Sequence, residues 1–221
     1  MVDRSAHRAL LRRIISVYDS RIVRAYCVAR FLIININILH ILCLCLRGKA
    51  RVLDVGCGFG LFGCYFAARY PNVSYHGIDR NEGRIEAARL AAERLGLTNA
   101  VFEVGDASSL GLTDRYDAVV MLDLMHHLSP EGKKSTLEEI SGHLDPDGRL
   151  VIKDVLTRPR WRLFFTWALD VVMTKGFEMW YLSTREFKEL VGDGFELESY
   201  PIADWMPYPH VVHLFDRVSR D

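Results

Sequence analysis

Arg51-Val-Leu-Asp-Val-Gly-Cys-Gly-Phe-Gly60 is the stretch that decides the fold. Its first five residues form a short apolar run, the pattern of a buried strand. Glycines at 56, 58 and 60 follow at once, and Leu61 to Tyr70 reads as a helix stopped before Pro71. A glycine turn between strand and helix lets backbone approach a ligand without a Cβ in the way. The helix N-terminus behind it offers free N–H groups and partial positive charge. A dinucleotide loop would follow G-x-G-x-x-G, but Leu61 stands where its third glycine belongs, so G-x-G-x-G is what remains.

Working toward the C-terminus, two periods alternate. Val73 to Ile78 predicts a second strand. Asn81 predicts an N-cap for a helix whose face is Ile85, Ala88, Ala92 and Leu95, with Gly96 just past its end. Val101 to Val104 and Tyr116 to Leu122 predict strands three and four. Ser129-Pro130 supplies a cap and a first-turn proline for a helix carrying Leu137, Ile140 and Leu144. Leu144-Asp-Pro-Asp-Gly148 reads as a turn and Arg149 to Val155 as the fifth strand. Ser183 and Glu186 form a capping box for a helix with Phe187, Leu190 and Val191. Phe195 to Ile202 and Val211 to Val218 close the chain.

Strands alternating with helices require right-handed crossovers and a mainly parallel sheet. Only Ala203 to His210, with Pro207 and Pro209, joins the last two runs. So short a connection cannot make a crossover, and the final strand is expected to run antiparallel. The expected architecture is α/β: a Rossmann-like, seven-stranded, mainly parallel sheet with an antiparallel last strand and helices on both faces. A helical arm precedes it.

Toward the N-terminus lies that arm, residues 1–48, ahead of a domain at 49–221. Arg4, Arg8, Arg12, Arg13, Arg21, Arg24 and Arg30 face only Asp3 and Asp19 across residues 1–30, and Phe31 to Leu46 is nearly all apolar. The basic region is too long for a signal peptide, and no small-residue cleavage site follows. The apolar run is shorter than the roughly 20 residues a span needs and holds Asn35, Asn37 and His40. Arginines ahead of a span would also keep the N-terminus in the cytoplasm and put the domain outside. Two readings stay open: a helix packed on the domain, or an interfacial helix making peripheral membrane contact through residues 14–46. The expected location is cytoplasmic, in the second case at the inner face of the membrane.

Two acids give the glycine loop its meaning. Asp79 closes the second strand and suits the two hydroxyls of a ribose; Asp106 follows the third and suits an adenine amino group. Loop and acids all fall at carboxyl ends of consecutive strands, where open parallel sheets bind ligands.

Residues 51–155 resemble the core of class I S-adenosylmethionine (SAM)-dependent methyltransferases. The resemblance rests on Val52-Leu-Asp-Val-Gly-Cys-Gly-Phe-Gly60, Gly77-Ile-Asp79, Gly105-Asp-Ala107, Tyr116-Asp-Ala-Val-Val120 running on to His126-His127-Leu128, and Leu144-Asp-Pro-Asp-Gly148. It implies SAM as cofactor. Gly56, Cys57, Gly58 and Gly60 would line its methionine part, and Asp54 would order the loop and water near its amino group. Asp79 and Arg80 would sit at the ribose, Asp106 and Ala107 at the adenine. Met121 to Leu124 would run beside the methyl donor.

Methyl transfer is an in-line displacement, so the protein's task is alignment and exclusion of water. A base is needed only if the acceptor loses a proton. His126 and His127 are the best placed, in the segment opened by Asp123; Asp154 and Tyr181 are weaker candidates. The segment is not the D/N-P-P-Y motif of the nucleic-acid and protein-amide N-methyltransferases. Nor does it offer the extra acids that aminopropyl transfer to a polyamine would want.

A connection from about 156 to 182 is expected to form a helical cap. Trp161, Phe165, Leu169 and Val172 share one face of it, and Phe164, Trp167 and Val171 an adjacent one. Trp161, Phe165, Arg158 and Tyr181 are the acceptor candidates; Arg158, Arg160 and Arg162 suit an anionic head.

Composition narrows the classes. Lys+Arg and Asp+Glu balance at 28 each, which gives no global field for a polyanion, and nucleic acid is not an expected partner. Five cysteines, an odd number, argue against a disulfide framework. Cys43-Leu-Cys45 lacks a second pair at zinc spacing, so no metal is expected. The expected activity is methyl transfer from SAM to a small apolar, aromatic or lipid-like acceptor, with an anionic head as one form. The competing reading is a catalytically silent SAM-binding protein at a membrane or partner. Nothing in the sequence sets an oligomeric state.

Overall fold

The computed structural model describes residues 4–164, 166–167, 179–202 and 208–218. The chain forms two compact units, Met1–Ala107 and Ser108–Asp221.

The first unit holds α1 (Arg4–Ser16), α2 (Arg21–Ile33), α3 (Ile36–Cys45), β1 (Arg51–Val55), α4 (Leu61–Arg69), β2 (Ser74–Asp79), α5 (Glu82–Leu95) and β3 (Ala100–Val104). β2 pairs in parallel with β1 on one side and β3 on the other. The expected caps form: the Asn81 side chain accepts from Arg84 N–H, and Gly96 turns left-handed at φ 71°. The core gathers Val52, Leu53, Phe66, Tyr75, Ile85, Ala88 and Phe102, all essentially out of water. Burying each large apolar side chain contributes about 1.5–3 kcal/mol.

The arm folds as three helices. Arg13 donates to the Leu95 carbonyl at 3.1 Å, His7 meets Tyr65 at 3.1 Å, and Arg94 pairs with Asp19 at 2.8 Å. α3 buries Ile38, Leu39, Leu42 and Cys45. Among the described residues no single helix is long and apolar enough to cross a membrane; α2 and α3 pass that test only as a pair bent by 74°. Asn35 causes the break, its side chain capping α3 through Asn37 and Ile38 N–H.

The second unit holds β4 (Tyr116–Leu122), a 3-10 turn (Met125–His127), α6 (Pro130–His143), β5 (Leu144–Val155), α7 (Thr184–Val191), β6 (Phe195–Pro201) and β7 (His210–Arg217). The caps at Ser129 and the Ser183–Glu186 box both form. β4 and β5 pair in parallel, and β7 runs antiparallel to both β5 and β6. The seven strands make one mixed sheet in the order β3-β2-β1-β4-β5-β7-β6. The last strand therefore inserts beside β5 rather than extending the edge.

One boundary differs from expectation. β5 begins at Leu144, taking in the stretch read as a turn. Leu144 pairs with Tyr116, and the register shifts before Ala118 meets Arg149. The glycine at 148 permits this crowding, since a Cβ there would lie 2.5 Å from Leu144 Cγ. Of the expected cap, residues 160–164 are helical; Phe165, Leu169, Val171 and Val172 lie outside the described residues.

Candidate functional site

In the first unit, β1 delivers the chain into the glycine loop. Gly56 and Cys57 N–H both donate to the Ile78 carbonyl, at 2.7 and 3.0 Å, which seats the loop on the end of β2. Gly58 sits at φ 57° and a Cβ there would meet nothing within 4 Å, so its open side is free for a ligand. Gly60 sits at φ 70°, where a Cβ would lie 2.8 Å from both Ala88 and Phe102. One glycine keeps a space clear; the other permits close packing.

Asp79 is nearly buried, and its carboxylate joins two turns. One oxygen accepts from Gly58 N–H and the other from Asn81 N–H, both at 2.9 Å. Gly105 N–H donates to the Asp79 carbonyl at 3.2 Å, bringing the end of β3 to the same rim. Asp106 and Arg80 are exposed there, and Ala107 is half-buried.

Asp54 lies beneath the loop, fully buried, and accepts a short hydrogen bond from the Tyr75 hydroxyl. Its other oxygen, Oδ1, has no hydrogen-bond partner among the described residues. Burial pushes this carboxyl up to about 7; the Tyr75 hydrogen bond opposes the rise and the Asp79 charge adds to it. An open glycine cradle, a carboxylate at the loop and a buried acceptor awaiting a donor together fit a ligand with ribose hydroxyls and an ammonium group.

One contact was not readable in the sequence. The Tyr18 hydroxyl, between α1 and α2, donates to the Phe59 carbonyl at 2.7 Å. The Tyr26 and Phe59 rings meet edge to face with centroids 5.1 Å apart. The arm thus grips the glycine loop from behind.

In the second unit, Met121 is fully buried in β4. Asp123 follows at φ 55°, a conformation costly for a residue with a side chain. Its N–H donates to the Lys153 carbonyl at 2.9 Å, and its carboxylate pairs with the Lys153 ammonium. Lys153 is fully buried, which only a matched charge makes tolerable. The 3-10 turn then places His126 in the interior. Its Nδ1 meets Asp154 Oδ1 at 2.6 Å. The Tyr181 ring stacks on its imidazole at 5.3 Å, and Trp180 N–H donates to its carbonyl at 2.9 Å. His127 lies half-buried beside it, ring centroids 4.1 Å apart.

A cavity of about 760 Å³ is walled by Lys133, Leu163, Trp180, Tyr181, Glu186 and Glu189 among others. It meets this pair through Tyr181 and Trp180, and neither His126 nor Asp154 belongs to its wall. Tyr181 belongs to its wall; Trp161 and Arg158 are exposed and do not. Lys133, which nothing in the sequence singled out, is 2% exposed and donates to the Leu128 carbonyl. Burial lowers its pKa to about 8, against the pull of Asp154. His213, on β7, is pushed down to about 4 by burial and stays neutral near pH 7.

Asp123, His126 and Asp154 bring three ligand atoms within 4.8 Å of one another, close enough to hold a cation. The Lys153 ammonium already neutralises Asp123, and His126 already bonds Asp154. Two carboxylates are thereby matched by a lysine and a protonatable imidazole.

Comparison with known proteins agrees with this arrangement. Residues 52–148 match a family model described as a methyltransferase domain. A fatty-acid O-methyltransferase of Mycolicibacterium smegmatis is 34% identical over 116 residues, covering 52% of this chain and 39% of that protein. The methyltransferase GfsG of Streptomyces halstedii is 32% identical over 110 residues, covering 49% and 38%. The chain thus spans well under two thirds of these relatives. Among solved structures, the SAM-dependent methyltransferase SibL in its apo form superposes with a TM-score of 0.72 at 21% identity, over 94% of this chain and 62% of that one. At that identity the likeness speaks for the fold.

Proposed function

From a chain that carries a class I SAM-dependent methyltransferase domain, we propose methyl transfer from SAM to the oxygen of a small apolar, aromatic or lipid-like acceptor. The observation that carries the acceptor chemistry is the buried His126–Asp154 pair, joined through the Tyr181 ring to a largely apolar cavity. SAM, when bound, supplies a methyl group already activated on a sulfonium. Gly56, Gly58 and Gly60 would cradle it, with Asp79, Asp106 and Asp54 as its polar partners.

The chain's own residues then do three things. Asp154 accepts from His126 Nδ1, which fixes the imidazole's tautomer and leaves Nε2 to take the acceptor's proton. Tyr181 stacks on that ring, Trp180 N–H anchors the His126 carbonyl, and both form cavity wall. Lys133, Glu186 and Glu189 are the charged groups of a wall that is otherwise mainly apolar, a lining that suits an acceptor with an apolar body and one phenol or carboxylic acid oxygen. The relative named as a fatty-acid O-methyltransferase agrees with that class.

The test is turnover with methyl-labelled SAM against panels of phenols and long-chain carboxylic acids. His126→Gln should lower kcat by about 10²–10⁴-fold on a phenolic acceptor, with SAM affinity unchanged. Label transfer at the wild-type rate would remove His126 as base. Absence of transfer to either panel, with SAM bound, would favour the silent SAM-binding reading.

A further inference from the structure

Charge in this chain sums to zero but is segregated. Between Arg4 and Leu53 stand nine arginines and one lysine against a single acid, Asp19. That acid is already engaged by Arg94. Arg8, Arg12, Arg13, Arg21, Arg24 and Arg47 are all exposed.

Within this field α2 has an unusual outer face. Its exposed residues are Arg21, Ile22, Arg24, Ala25, Val28 and Leu32. Arg21, Arg24, Ala25, Val28 and Leu32 fall on one ridge by helical spacing, with Ile22 alongside. Ile22 is 82% exposed, Val28 46% and Leu32 54%. The inner face is seated through Cys27, Ile33 and the Tyr26–Phe59 contact. A helix bathed in water normally sets a charged face opposite its buried one. Beyond Arg24 the exposed residues of α2 are all apolar.

We infer that α2 docks on an anionic lipid surface. Ile22, Val28 and Leu32 enter the acyl boundary while Arg21 reaches headgroup phosphates, its stem lying along the apolar ridge. The charge pattern selects this occupant. A second copy would set arginine against arginine, with no acid between Ser20 and Leu53 to relieve it. A nucleic-acid backbone would leave the apolar ridge in water. Only a surface with anionic heads above apolar tails matches both halves. The inference does not depend on the acceptor: docking and methyl transfer can each fail without the other.

Flotation of the full chain with vesicles tests it. Phosphatidylcholine vesicles containing about 30% phosphatidylglycerol should recover the protein, pure phosphatidylcholine should recover little, and high salt should lower recovery. The triple variant Ile22→Ser, Val28→Ser, Leu32→Ser should partition at least tenfold more weakly. Arg8→Gln, Arg12→Gln and Arg21→Gln should each cost up to about fivefold, on anionic vesicles only. Because the three apolar positions are exposed, melting of the triple variant should match wild type; if it does not fold, Ile22→Asp alone reads the same surface. Equal flotation of wild type and either variant overturns the inference. So does a dimer, formed without vesicles, that the serine variant dissociates.

Discussion

At the scale of single residues, the site depends on two buried carboxyls that differ in their partners. Asp154 has His126; Asp54 has the Tyr75 hydroxyl on one oxygen only. The Asp54 carboxyl titrates near 7 when folded, above its ordinary value of 3.8. A raised acid favours the folded state while it is protonated. That contribution is in place below about pH 4 and is lost as pH rises through about 7. Wild type should therefore lose stability relative to Asp54→Asn between about pH 4 and 7, read as a widening gap in Tm that levels off above about pH 7. A ligand ammonium near Oδ1 favours the ionised carboxylate. SAM should accordingly bind wild type more tightly as pH rises through about 7, while Asp54→Asn stays flat. Parallel pH profiles for the two proteins would separate Asp54 from the ligand.

His126 and Asp154 each stood out in the sequence by position, but nothing there could pair them. They lie 28 residues apart, and only the 3-10 turn after β4 and the end of β5 bring them together. Asp154→Asn should lower turnover with little change in KM for SAM, since it would leave the imidazole in place without a partner for its charge; unchanged kcat across pH would contradict this. Lys153 was missed because a lysine in Leu150-Val-Ile-Lys-Asp-Val155 resembles an ordinary strand outlier. The usable signal was an isolated cation in an otherwise buried run, which demands a buried acid.

At the scale of elements, local chemistry made the helix boundaries legible. Asn81, Gly96, Ser129 and the Ser183–Glu186 box act within a few residues of themselves, so the sequence states them directly. The start of β5 was not legible, because Leu144 is drawn into the sheet by Tyr116, a partner far along the chain. The loop between β1 and α4 is the element on which cofactor binding depends. Gly60→Ala would force a side chain into φ 70° and against Ala88 and Phe102. Denaturant unfolding should show a loss of roughly 2–4 kcal/mol, from left-handed strain plus overpacking. A loss below about 0.5 kcal/mol would mean the loop relaxes freely. Tyr18→Phe deletes only the hydrogen bond to Phe59. That bond contributes about 1 kcal/mol, so SAM affinity should fall about fivefold if the arm steadies the loop. Unchanged affinity would make the contact purely structural.

At the scale of the molecule, the mainly parallel sheet and its antiparallel last strand follow from alternation and one short connection, and both were visible; the insertion of β7 between β5 and β6 was not. The place of the arm was not. Its arginines and apolar run suited either packing or a membrane, and α1 to α3 show an inner face committed to the first unit and an outer one that is apolar and basic. Helix patterning states that a face is apolar, never what covers it. The central claim is that the glycine loop and Asp79 together hold an adenosyl sulfonium. Calorimetry of the full chain with SAM tests it most directly. One site per chain is predicted, weakened at least tenfold by Asp79→Ala in a protein that still melts as wild type does. No heat of binding to wild type, or equal affinity in the variant, would contradict the account.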